Sequence, residues 1–79
     1  MSQKEVFDII VEHTREVVFE LEDHAFTMED SLKALGANSI DRSEVIMMTL
    51  ESLDFQMPMA SLAKAENIGA LASLINDAR

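Results

Sequence analysis

Apolar residues recur at three- and four-residue steps along most of this chain, and nowhere do they alternate as a half-buried strand requires. Val6, Ile10, His13 and Val17, with Ile9 beside them, form one stripe, and Glu5, Asp8, Glu12, Arg15 and Glu16 fall mostly opposite it. The spacing predicts a first helix from Gln3 to about Phe19, capped by Ser2. From Glu20 to Asn38 the periodicity fails. Acidic residues are mixed there with the single apolar residues Leu21, Phe26 and Met28, which predicts a long loop pinned to the core by those three side chains. A short helical turn over Ser31 to Leu35 is expected inside it, ended by Gly36 at the position after the cap.

Asn38 is a preferred N-cap, and Asp41 three residues later suits the positive end of a helix. A second helix is therefore predicted to run to about Leu53, with Ile40, Ile46, Met47, Leu50 and Leu53 as its apolar face and Val45 and Met48 at the edges. Pro58 suits the start of a short helix over Met59 to Lys64. Asn67 caps a last helix with apolar positions Ile68, Leu71, Leu74 and Ile75. Gly69 inside it costs about 1 kcal/mol relative to Ala, which close packing against a neighbouring helix would explain. The expected architecture is all-α: an antiparallel bundle of three main helices and one short helix with a long first loop, forming a single domain over 1–79.

Composition narrows the chemistry. The 79 residues include 15 acidic and 6 basic side chains, a formal net charge of −9, and 48% of them are hydrophobic. That hydrophobic content is too high for a disordered acidic chain. The charge repels nucleic-acid phosphate and anionic lipid and attracts basic partner patches, so neither nucleic acid nor membrane is expected as a partner. No cysteine is present, which excludes disulfides and thiolate chemistry. The start of the chain lacks the basic and apolar regions of a signal peptide, and a soluble cytoplasmic monomer is expected.

Catalysis finds few candidates. A serine nucleophile needs a base within reach and a group to orient that base. The two histidines are His13, on the apolar side of the first helix, and His24, in the acidic loop, where it is expected to be solvated. Asp23, Glu29 and Asp30 lack the spacing and the glycine of a calcium loop, so no metal site is expected. Ser39 remains. It sits where a glycine-broken turn gives way to a helix, with its hydroxyl exposed at the helix mouth, a place suited to a phosphate-linked group.

The run Leu35-Gly36-Ala37-Asn38-Ser39-Ile40, followed by acidic Asp41 and Glu44, resembles the Leu-Gly-x-Asp-Ser-Leu motif of the acyl carrier proteins. The resemblance extends from Glu5 to Asn76 and includes the long loop, the Met57-Pro58 junction and the Asn67-Ile68 start of the last helix. It implies that a phosphopantetheinyl transferase, using coenzyme A and magnesium, attaches 4′-phosphopantetheine to Ser39. The protein would then have no catalytic residues and would tether an acyl thioester. Asn38 stands where the family usually has aspartate, and Arg42 is a cation in an otherwise acidic first turn. With Ser43-Glu44, Met47-Met48 and Leu62-Ala63-x-Ala65-x-Asn67-Ile68-Gly69, these features are similar to stand-alone donor carriers of polyketide β-branching cassettes. That resemblance implies an acetyl cargo, supplied through a ketosynthase-like decarboxylase and an acyltransferase and donated to an HMG-CoA-synthase-like enzyme. It implies partner recognition by Asn38, Ile40, Asp41, Arg42, Glu44, Val45, Met48 and Met57. Fatty-acid and aminoacyl or peptidyl carriers are the alternatives within the class, and an unmodified acidic helical adaptor is the alternative outside it.

Overall fold

The computed structural model describes residues 2–62 and 64–79. Helix α1 spans Gln3–Val17 and is followed by a 3-10 turn at Phe19–Leu21. Helix α2 spans Ser39–Ser52, α3 Met59–Leu62 and α4 Ile68–Ala78. Residue 63, inside the short helix expected over Met59 to Lys64, lies outside the described residues.

α1 opens with a capping box. Ser2 Oγ accepts from the Glu5 N–H, and the Glu5 side chain accepts in return from the Ser2 N–H. Its buried stripe is Val6, Phe7, Ile10, Val11 and Thr14, one position round from the expected one. Ile9, His13 and Val17 are only half-buried at its edge. The stripe takes in Phe7 and Val11, which the expected one omitted, and Thr14, whose complete burial is tolerated because its hydroxyl donates to the Ile10 carbonyl (2.7 Å) and leaves no polar atom unsatisfied. Thr49 does the same on α2 through the Val45 carbonyl (2.8 Å). A pattern read from aliphatic residues alone passes over both.

The three long helices run in one sense rather than antiparallel. Gln3 Nε2 donates to the Gly69 carbonyl (3.0 Å), joining the starts of α1 and α4, while His13 and Ser52 pair at 2.8 Å near the far ends of α1 and α2. α1 packs along both α2 and α4. Such a bundle needs a connection that carries the chain back about 20 Å, the length of a 14-residue helix. The long first loop is that return.

Side chains fasten it at every stage. Leu21 is buried, and Phe26 and Met28 pack half-buried on the core. Arg15 donates to the His24 carbonyl (3.0 Å) and sits 5.3 Å from the centre of the Phe26 ring. His24 is half-buried rather than solvated: its ring meets Phe26 edge-on, and Nε2 lies 3.1 Å from Asp30 Oδ2. The Thr27 N–H donates to the same carboxylate (2.9 Å), and this bond, then His24, holds the Asp30 pKa below its ordinary 3.8. A lowered carboxylate pKa contributes stability above the ordinary value, and that contribution is lost as the pH falls through the lowered one.

The loop ends by closing the start of α4. The Asp30 carbonyl accepts from the Ile68 N–H (2.9 Å), and the Met28 carbonyl from the Gly69 N–H (2.8 Å). Asn67 Oδ1 accepts from the Ala70 N–H (2.7 Å), and the Asn67 carbonyl accepts from the Leu71 N–H (3.0 Å). Gly69 thus packs against the loop and not against a helix: a Cβ there would lie 2.8 Å from the Met28 carbonyl oxygen. Gly69→Ala is expected to lower stability by about 1–2 kcal/mol, since overpacking costs more than helix propensity returns. A urea melt would show a lower midpoint with an unchanged slope, and a raised midpoint would contradict the close packing. The rest of the α4 stripe is Ile68, Leu71, Ala72 and Ile75, while Leu74 is exposed.

Candidate functional site at the start of α2

The turn before α2 is built to end sharply. Leu35 N–H donates to the Ser31 carbonyl, Gly36 N–H to Lys33 and Ala37 N–H to Leu32, at 2.9 to 3.1 Å. The last two bonds form a Schellman motif, and Gly36 occupies its left-handed position at φ +103°. A Cβ on Gly36 would touch nothing within 4 Å, so backbone conformation alone requires glycine there. Leu32 and Ala37, at the two ends of the motif, are both buried and fix the turn to the core.

Asn38 follows in extended conformation, and its Oδ1 accepts from the Asp41 N–H (2.8 Å). Its carbonyl accepts from the Arg42 N–H (3.0 Å). The cap thus satisfies the third and fourth donors of α2. Among the described residues, the N–H groups of Ser39 and Ile40 have no protein partner, whereas the start of α4 is fully closed. Ser39 itself is exposed. Its hydroxyl and two outward N–H groups stand at the positive end of a 14-residue helix, an arrangement that favours a covalently linked anion. Among the described residues neither histidine pairs with that hydroxyl: His13 is engaged with Ser52 and His24 with Asp30.

The remaining sequence candidates divide by burial. Ile40 is 74% exposed and Met47 is 54% exposed, so these two, expected on the core face, lie on the outer face with Glu44. Val45 is fully buried, and its expected role as a partner-facing residue is corrected: it belongs to the core with Thr49, Leu50 and Leu53. Apolar residues are scattered around this helix among polar ones rather than gathered on one side, so periodicity could not fix which side faced inward. Asp41 and Met48 are half-buried, and Met57 is half-buried against the core. Arg42 is half-buried too, with Nη1 donating to the Ala37 carbonyl (3.1 Å).

Beside Ser39 lies a cleft of about 670 Å³ between α2, α3 and the start of α4. Ser39, Arg42, Ser43 and Ile46 form its α2 wall, and Leu62, Ile68 and Leu71 face them. Positions 39, 42, 43 and 46 form one stripe of α2, and Ile46, expected on the core face, packs against the core and also lines this cleft.

Comparison with known proteins agrees with this geometry. The family described as "Phosphopantetheine attachment site" matches residues 15–75. The chain is 40% identical over 77 residues to the polyketide biosynthesis acyl-carrier-protein AcpK of Bacillus subtilis (strain 168), covering 98% of this chain and 94% of that protein. It superposes with a TM-score of 0.90 and 48% identity on a chain of the crystal structure of the curacin biosynthetic pathway HMG synthase in complex with acetyl donor-ACP, covering 95% of this chain and 96% of that one. The chain belongs to the acyl carrier proteins, the family that bears a phosphopantetheine attachment site.

Proposed function

We propose that Ser39 is the attachment residue for 4′-phosphopantetheine and that the protein, a single carrier domain, donates acetyl to an HMG-CoA-synthase-like enzyme in polyketide β-branching. The observation that carries the reading is the exposed Ser39 residue on an open helix start, within the matched residues. The residues present fit the group. A phosphodiester on Ser39 would meet the free N–H groups of Ser39 and Ile40 at the positive helix end. When attached, the arm supplies a terminal thiol that holds an acyl group as a thioester. The transferase must bring the base and the magnesium.

The chain's own residues then act as an address. Ile40 and Met47 present an apolar strip on the outer face of α2, flanked by Glu44 and the half-buried Asp41. A basic partner surface with an apolar pocket matches it, the charges steering encounter and the apolar residues holding the complex. The likeness to a carrier solved with an HMG synthase, at 48% identity, supports this partner for the present chain. A ketosynthase-like decarboxylase and an acyltransferase would supply the acetyl group upstream.

The test is donation itself. Acetyl-loaded protein is mixed with an HMG-CoA-synthase-like enzyme and an acceptor carrier bearing a β-ketoacyl group. Loss of acetyl mass from this protein, with a gain on the acceptor of acetyl plus one water (C–C addition to the ketone, then hydrolysis of the synthase thioester), is the expected result. Ile40→Asp should slow donation about tenfold or more without shifting the melting temperature. Donation no faster than from a fatty-acid carrier would contradict the reading.

A further inference from the structure

The cleft beside Ser39 differs in charge from the rest of the surface. Its charged lining residues are Lys33, Arg42 and Glu66, a local balance of +1 in a chain of net charge −9. Ser39 and Arg42 stand three residues apart on α2 and share the same wall. The Arg42 guanidinium spends one of its five N–H donors on the Ala37 carbonyl, which fixes it beside the turn and leaves donors for a second acceptor. Arginine in that state is suited to a phosphate oxygen, which it can bind through two parallel bonds.

We propose that Arg42 is a positioning residue that pairs with the phosphodiester on Ser39 and holds the base of the arm against the α2–α4 cleft, with Lys33 as a weaker second cation. The inference rests on Ser39 being the attachment residue. An unpaired phosphodiester would add to the self-repulsion of an already acidic chain. A paired one reverses that sign. The bond to Ala37 already meets part of the cost of ordering the arginine, because the side chain is held before the arm is attached.

Two other roles for Arg42 give different results. If it only braces Ala37, its removal weakens the unmodified and modified proteins equally. If it only contacts partners, its removal changes neither protein in isolation. The experiment compares melting temperatures of both forms for the wild type, Arg42→Ala, Arg42→Lys and Lys33→Ala, after mass spectrometry has shown the arm on Ser39. The phosphorus NMR signal of each modified form is recorded in parallel. For the wild type at low salt, modification is expected to raise the melting temperature by about 2–5 °C. Arg42→Ala should abolish or invert that rise and move the phosphorus resonance. Arg42→Lys should keep part of it, Lys33→Ala should reduce it less, and high salt should shrink it in all forms. Equal modification effects in the wild type and Arg42→Ala, with the phosphorus resonance unmoved, would overturn the proposal while leaving Ser39 as the site. Failure to find the arm on Ser39 would overturn both.

Discussion

Val45→Asp is expected to abolish the cooperative fold at 25 °C or bring it to the edge of unfolding. Val45 has no exposed surface and sits among Leu50, Leu53 and the buried residues of α1. A carboxylate placed there leaves water and finds no cation, a change that costs about 3–5 kcal/mol, to which the lost apolar burial adds about 1.5 kcal/mol or more. A domain of 79 residues has about 4–12 kcal/mol of stability in all. Circular dichroism would show loss of helix and of a cooperative melt, whereas Val45→Ala should melt early but cooperatively. A well-folded Val45→Asp protein that had merely stopped recognising partners would contradict the burial and return the residue to the docking face.

That contrast shows where the sequence was legible. The helix starts were readable because Ser2, Asn38 and Asn67 announce themselves chemically, and each side-chain oxygen accepts the backbone N–H three residues on. The Schellman turn at Gly36 was readable for the same reason. The inward face of α2 was not. Ile40, Val45, Ile46, Met47, Met48 and Leu50 leave no polar side wide enough to orient it, and the deciding residue, Thr49, counts as polar until its hydroxyl is seen to bond its own helix. The common direction of the three long helices was also hidden. It shows only in long-range contacts, such as the bonds from Gln3 to Gly69 and His13 to Ser52, which no local pattern encodes. Ser39 itself was legible as a site, whereas the involvement of Arg42 with Ala37 and the cleft needed the fold.

Ser39→Ala is expected to remove carrier function completely while leaving the protein folded. The side chain is exposed and does not cap α2, since that task falls to Asn38. Alanine is also a better helix former than serine, so melting should be unchanged or slightly improved. Loss of function without loss of structure separates a chemical role for the hydroxyl from a structural one. An unmodified helical adaptor would instead retain its partner in this variant, because the outer face formed by Ile40, Glu44 and Met47 is untouched.

The most direct measurement is intact-protein mass spectrometry after incubation with coenzyme A, magnesium and a broad-specificity phosphopantetheinyl transferase. The wild type should gain the mass of one phosphopantetheine group, with the gain mapped by peptide fragmentation to Ser39, and Ser39→Ala should gain none. A wild type that stays at its unmodified mass with competent transferases, or a gain that persists in Ser39→Ala, would contradict the assignment of Ser39 as the point from which this carrier holds its cargo.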